Sequence, residues 1–253
     1  MKIQSWKTGL PVLVSLFWMP LTCVADASGL SGSAPLRVED ADPTKFGSTE
    51  LELSALHERT GSDDTRNQFQ PELKYGFAEN AQISISSPFL SGSAPETGSG
   101  NLGLSLLYRI NQETAASWLP SFAVGIRADF PTGRNASGVD TRLSLIASRK
   151  LAEGGGRMHF NGLWHRNADA QRNERDDRFG MILGYSHPLR KDRYLVADYI
   201  LEQQREKGKV DSIVEIGLRQ DLTPKDVIGI GAGAGLNSES AKYRVVVSYQ
   251  HSF

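Results

Sequence analysis

The sequence predicts an all-β protein: a transmembrane antiparallel up-and-down β-barrel of about 12 strands, with both termini periplasmic. Three observations carry this expectation. The chain alternates apolar and polar residues up to its last residue, Phe253. The same period of two recurs from about Glu50 onward, in segments separated by polar or glycine-rich breaks. The start of the chain has the layout of an export signal.

In the terminal segment Tyr243, Val245, Val247, Tyr249, His251 and Phe253 alternate with Arg244, Val246, Ser248, Gln250 and Ser252. Such a strand has one apolar and one mostly polar face, with aromatics at both ends of the apolar one. It resembles the C-terminal insertion signal of bacterial outer-membrane barrels, which implies that Tyr249 and Phe253 are read by the barrel-assembly machinery. An amphipathic edge strand of a soluble sandwich is the alternative for this stretch alone.

At the other end Lys2 and Lys7 precede an apolar run from Leu10 to Met19, interrupted by Pro11, and small residues follow. Residues 1–25 are expected to be a secretory signal cleaved after Ala25 or Ala27. The sole cysteine, Cys23, would leave with it, so neither a disulfide framework nor a thiolate metal site is expected. No later segment is apolar enough for a membrane helix. The formal charge of −1 gives no electrostatic case for a nucleic-acid partner. Hydrophobic residues make up 39% of a chain with 25 glycines, which suits a barrel with polar inward positions better than a compact core.

Residues 26–47 are small, polar and acidic, and are expected to form a short periplasmic segment; residues 48–253 are assigned to the barrel. Leu51, Leu53 and Ala55 oppose Glu50, Glu52 and Ser54, and the pattern continues through eleven further segments. Among them Ile228, Ile230, Ala232 and Ala234 alternate with Gly229, Gly231, Gly233 and Gly235; these glycines are expected to open lumen space along one wall. Tight breaks near residues 77–80, 190–192 and 223–226 alternate with longer ones at 90–99 and 167–177, as expected for periplasmic turns and extracellular loops. Tyr75, Tyr108, Phe130, Phe179, Tyr185 and Tyr249 lie near segment ends on the apolar face, where interfacial girdles belong.

The segments around Asp40-Ala41-Asp42, Gly47-Ser48-Thr49-Glu50-Leu51-Glu52, Pro71-Glu72-Leu73-Lys74-Tyr75-Gly76, Asn101-Leu102-Gly103-Leu104 and Phe130-Pro131-Thr132-Gly133 resemble the outer-membrane barrel "transporter" family named for a MetA-pathway of phenol degradation protein. The resemblance spans most of the mature chain. It implies a channel-like barrel with aromatic or otherwise apolar compounds as cargo, and it supplies no catalytic residues.

The inward face is where selectivity would reside. The candidates are Glu52, Glu72, Arg127, Asp129, Arg142, His159, Asp198, Glu215 and Arg244. They can act as a charged constriction that selects solutes, or as a neutralising network that keeps a narrow barrel rigid. Three function classes follow. The first is a monomeric channel for passive passage of small solutes, partnered by outer-membrane lipid and needing no cofactor. The second is a lipid-modifying enzyme of the lipase or acyltransferase type, for which His159, Asn161 and His165 are the best raw material. The third is a structural barrel or adaptor for a periplasmic partner. No Gly-x-Ser-x-Gly elbow is present, and the spacing of His159 and His165 along a strand is too wide for one metal ion. The expectation is therefore no enzyme, no metal site, and a solute-passing barrel.

Overall fold

The computed structural model describes residues 35–94, 97–114, 117–134, 137–151 and 156–253. The expected signal peptide, and residues 26–34 of the expected periplasmic segment, lie outside the described residues. Fourteen β-segments are present: β1 (Thr49–Arg59), β2 (Thr65–Ala78), β3 (Ala81–Ser86), β4 (Phe89–Gly92), β5 (Gly98–Ser99), β6 (Leu102–Asn111), β7 (Ser121–Phe130), β8 (Asp140–Lys150), β9 (Arg157–Arg166), β10 (Asp177–Arg190), β11 (Arg193–Gln203), β12 (Val210–Asp221), β13 (Asp226–Gly235) and β14 (Tyr243–Ser252).

Consecutive segments pair antiparallel, except β3 with β4 and β5 with β6, and β1 closes on β14 from Glu50↔Ser252 to Arg59↔Tyr243. β3 and β4 are two pieces of one stave, both paired to β2 and separated at Ser87–Pro88, where a proline cannot donate to the ladder. β5 and β6 likewise form one stave. The result is a closed barrel of 12 strands. Closure leaves no unpaired edge, which is what a sheet in hydrocarbon requires.

The alternation sorts side chains as expected. Leu104, Leu106, Tyr108, Ile126, Leu145, Val214, Ile216, Ile230 and Val247 are exposed on the outer wall. Glu52, Lys74, His159, Asp198, Glu215 and Gln250, from intervening positions, are buried inside. The rim where β1 begins and β14 ends is here called proximal. The connections at 79–80, 191–192 and 222–225 all lie there, and the longer 131–139 and 167–176 lie at the distal rim. Two proximal connections are longer, 112–120 and 151–156. Strand pairing also reaches further toward the distal rim than the sequence suggested: residues 90–92 and 98–99 belong to β4 and β5.

Residues 35–48 differ from expectation. Of the segment assigned to the periplasm, the described part runs through the lumen. It has no regular secondary structure apart from one bridge, Phe46 to Gly76. It is called the strap below.

Candidate functional site

The strap crosses the inner wall from β13 round to β1. Pro35 lies over Gly229 of β13, and Leu36 over Gly231. Val38 faces Gly184 of β10; Asp40 and Asp42 reach Arg157 of β9; Thr44 meets Gln82 of β3. Its backbone is held by side chains and not by a ladder. Asp198 accepts the N–H groups of Arg37 at 3.0 Å and Val38 at 3.1 Å. Asn161 grips Glu39 from both sides, accepting its N–H at 2.7 Å and donating to its carbonyl at 2.8 Å. Ser148 Oγ accepts the Ala41 N–H at 3.0 Å, and Gln82 Oε1 accepts that of Thr44 at 2.6 Å. These acceptors satisfy backbone donors that would otherwise be stranded away from water.

The strap also supplies apolar mass to a polar lumen. Leu36 and Val38, 3% and 1% exposed, pack with Leu163, Ile182, Val196, Ile200 and Ile213. Ala41 joins Ala123 and Ile146 in a second cluster. Burying a leucine and a valine side chain contributes about 1.5–3 kcal/mol each. The inward glycines make room for this. A Cβ on Gly184 would lie 2.5 Å from Val38 Cγ2, one on Gly231 2.7 Å from Leu36 Cδ2, and one on Gly229 2.9 Å from Pro35 Cβ. The glycine series of β13 was expected to open lumen space. Its inward wall is instead occupied by the chain itself at Gly229 and Gly231, while Gly233 lies against Glu215.

Ion pairs fill the proximal lumen. Lys74 Nζ lies 2.5 Å from Glu52 Oε2, and both groups are nearly fully buried. Arg157 bridges Asp40 at 3.0 Å and Asp42 at 2.8 Å, and Arg109 takes the other Asp42 oxygen at 2.8 Å. Gly76, from the Pro-Glu-Leu-Lys-Tyr-Gly motif, lets the strap turn out to β1: a Cβ there would meet Lys45 O at 2.3 Å.

The lumen holds a cavity of about 890 Å³. Its lining includes Glu58, Glu72, Arg127, Arg142, Arg178, Asp211, Glu215 and Arg244, with Glu39 and Arg37 from the strap. Asp42, Lys74 and Gln82 also line it. Arg244 stands 3.3 Å from both Glu58 and Glu215, and Glu58 also accepts from Arg66 Nε at 2.7 Å. Arg142 reaches Glu39 at 3.3 Å, and Arg37 pairs with Glu202 at 2.5 Å. Arg127 lies flat on the wall over Gly103, where a Cβ would meet its guanidinium. From there it donates to Asp129 at 2.9 Å and to Ser86 at 3.0 Å.

The nine candidate positions therefore divide. Glu72, Arg127, Arg142, Glu215 and Arg244 line the cavity; Glu52, Asp129, His159 and Asp198 do not. Glu52 is locked to Lys74, and Asp198 is committed to the strap backbone. His159 lies 3.0 Å from Ser148 Oγ and 3.2 Å from Ser186 Oγ, which resembles part of a hydrolytic constellation. All three side chains are buried, and Ser148 already accepts the Ala41 N–H beneath the strap. His165 stands 3.3 Å from Glu202. Sequence reasoning missed Arg37, Glu58 and Glu39, and named Asn161 only beside His159 and His165. The available signal was the set of apolar residues on inward positions, Leu163, Ile182, Val196, Ile200 and Ile213, which a water-filled lumen does not call for. At the proximal rim Tyr249 donates to Asp226 at 2.7 Å, and Phe253 packs edge-on against His251 with 4.7 Å between ring centroids.

This architecture is shared with known channels. The structure is similar to the COG4313 outer membrane channel from Pseudomonas putida F1, with a TM-score of 0.66 and 15% identity over 85% of this chain and 98% of that one. It is similar to the NanC porin, with a TM-score of 0.60 and 10% identity over 80% and 98% of the two chains. For the KdgM porin the TM-score is 0.54, with 14% identity over 80% and 99%. The fold is that of a channel-like outer-membrane barrel. No protein-family model matches the sequence, and no curated protein matches it.

Proposed function

We propose that this chain is an outer-membrane channel for small polar solutes, inserted with its proximal rim in the periplasm and its charged cavity open toward the outside. In this reading the C-terminal strand, with Tyr249 and Phe253, serves recognition by the assembly machinery. The apolar outer wall meets outer-membrane lipid.

The observation that carries the solute class is the cavity lining. Among the described residues it holds eleven carboxylates against eight guanidinium and ammonium groups, and no aromatic, histidine or methionine side chain. A lumen for aromatic compounds, the cargo implied by the family resemblance, would offer them apolar or stacking surface. This one offers ionic and hydrogen-bonding groups, with carboxylates in excess, which favours polar solutes and cations. Lipid hydrolysis is not proposed, because His159 and its two serines lie under the strap and not at the lipid-facing wall.

The test is a planar bilayer containing the refolded mature barrel. Small discrete openings are expected, with reversal potentials in a salt gradient that favour cations, and block by amino acids or small sugars ahead of benzoate. A demonstrably folded barrel that passes no current overturns the channel reading. Block by benzoate alone would restore the aromatic cargo.

A further inference from the structure

We propose that the inner wall of the barrel is a binding groove for an extended peptide, and that residues 35–44 are its resident, displaceable ligand, narrowing the proximal half of the lumen. The conductance part of this inference rests on the channel reading above; the binding part does not.

The groove has the parts that peptide recognition needs. Asp198, Asn161, Ser148 and Gln82 address the peptide backbone, so recognition along the segment is largely independent of its side chains. Specificity comes from the notches. Gly184 and Gly231 accept Val38 and Leu36, two residues apart as in any extended chain. Arg157 and Arg109 then take the acids Asp40 and Asp42. The expected ligand is an extended peptide with small apolar side chains at alternate positions followed by carboxylates. Residues 35–44 of the strap are displaceable because they lie outside the ladder. The barrel closes through ten β1–β14 register pairs that do not involve it, so its departure breaks no strand pairing. It would expose apolar side chains and free Arg157, so the groove has reason to be refilled.

Two measurements separate the parts of the inference. Residues 35–44 are replaced by a Gly/Ser linker of equal length, and folding is checked by heat-modifiable gel mobility. A fluorescent synthetic peptide of residues 35–44 is then titrated against this barrel in detergent and followed by anisotropy. Saturable binding is expected, with no binding to the wild-type barrel, whose groove is filled. Adding Asn161→Ala should weaken it about ten-fold, from the loss of two backbone hydrogen bonds. In bilayers the replaced barrel should conduct several-fold more than wild type, and peptide added on the periplasmic side should reduce the current.

A folded, strap-replaced barrel that binds this peptide no better than a scrambled one overturns the proposal. Peptide binding without any current in either barrel keeps the groove and removes the channel reading. If the replaced chain does not fold, Gly184→Val with the native strap serves instead: the added methyl groups collide with Val38, and conductance should rise. Wild-type conductance from that folded variant overturns displacement.

Discussion

The two halves of the lumen are built on the same strands and the same alternation, yet they solve different problems. In the proximal half the charges are matched closely: Lys74 with Glu52 at 2.5 Å, and Arg157 with Asp40 at 3.0 Å and Asp42 at 2.8 Å. In the distal half Arg244 is shared between Glu58 and Glu215 at 3.3 Å, and the groups face a cavity of about 890 Å³. The difference teaches that inward polarity alone does not make a pore. What separates the halves is the strap, which supplies carboxylates to the proximal arginines and apolar side chains to the glycine notches. The ion pairs of both halves are largely shut away from bulk water, but those of the distal half stand at the wall of the cavity, where a passing solute meets them.

The comparison can be broken at three places. The largest effect is expected at Lys74. Lys74→Met leaves Glu52 buried beside Glu72 without its partner and should destabilise the barrel by about 3–5 kcal/mol in a urea titration. The double variant with Glu52→Gln should regain most of that loss. A single variant as stable as wild type would mean that the proximal lumen is wet, and the contrast between the halves would fall.

Next come the cavity charges. Arg127→Ala should raise the cation preference and Glu215→Gln should lower it. A unit charge at ~4 Å in water is worth about 1 kcal/mol, so each change in permeability ratio should stay within about five-fold. Reversal potentials in a salt gradient measure both, and unchanged values would remove both side chains from the selectivity site.

The smallest effect belongs to the distal turn. Lys242 Nζ at 2.6 Å and Arg59 Nε at 2.8 Å hold the Asp63 carboxyl below the ordinary carboxylate range. A depressed acid contributes stability above its unfolded pKa, about 4, and loses it as the pH falls further. The three side chains are solvent-exposed, so Asp63→Asn should leave unfolding at neutral pH unchanged within error. A clear loss there would show the distal rim to be as tightly tied as the proximal half.

Much of the site was legible as parity and little of it as partnership. Alternation placed Glu72, Arg127, Arg142, Glu215 and Arg244 inside, and the structure lines the cavity with all five. The same rule placed Glu52, Asp198 and His159 inside without revealing that Lys74, the strap backbone and two serines consume them. Asp40-Ala41-Asp42 was visible as an acidic stretch, but its partners Arg157 and Arg109 lie 115 and 67 residues from Asp42. No local pattern links them.

The sequence by itself determined the strand parity, an approximate number of staves and which face of the sheet is apolar. These follow from a period of two and from turn residues, which act over a few neighbouring positions. Only the tertiary structure decided that residues 35–44 lie inside the barrel. Their burial depends on glycines at 184, 229 and 231 and on acceptors at 148, 161 and 198, which come together only when the sheet closes. A short polar segment has no period to announce its place, and a lumen exists only once β14 has met β1.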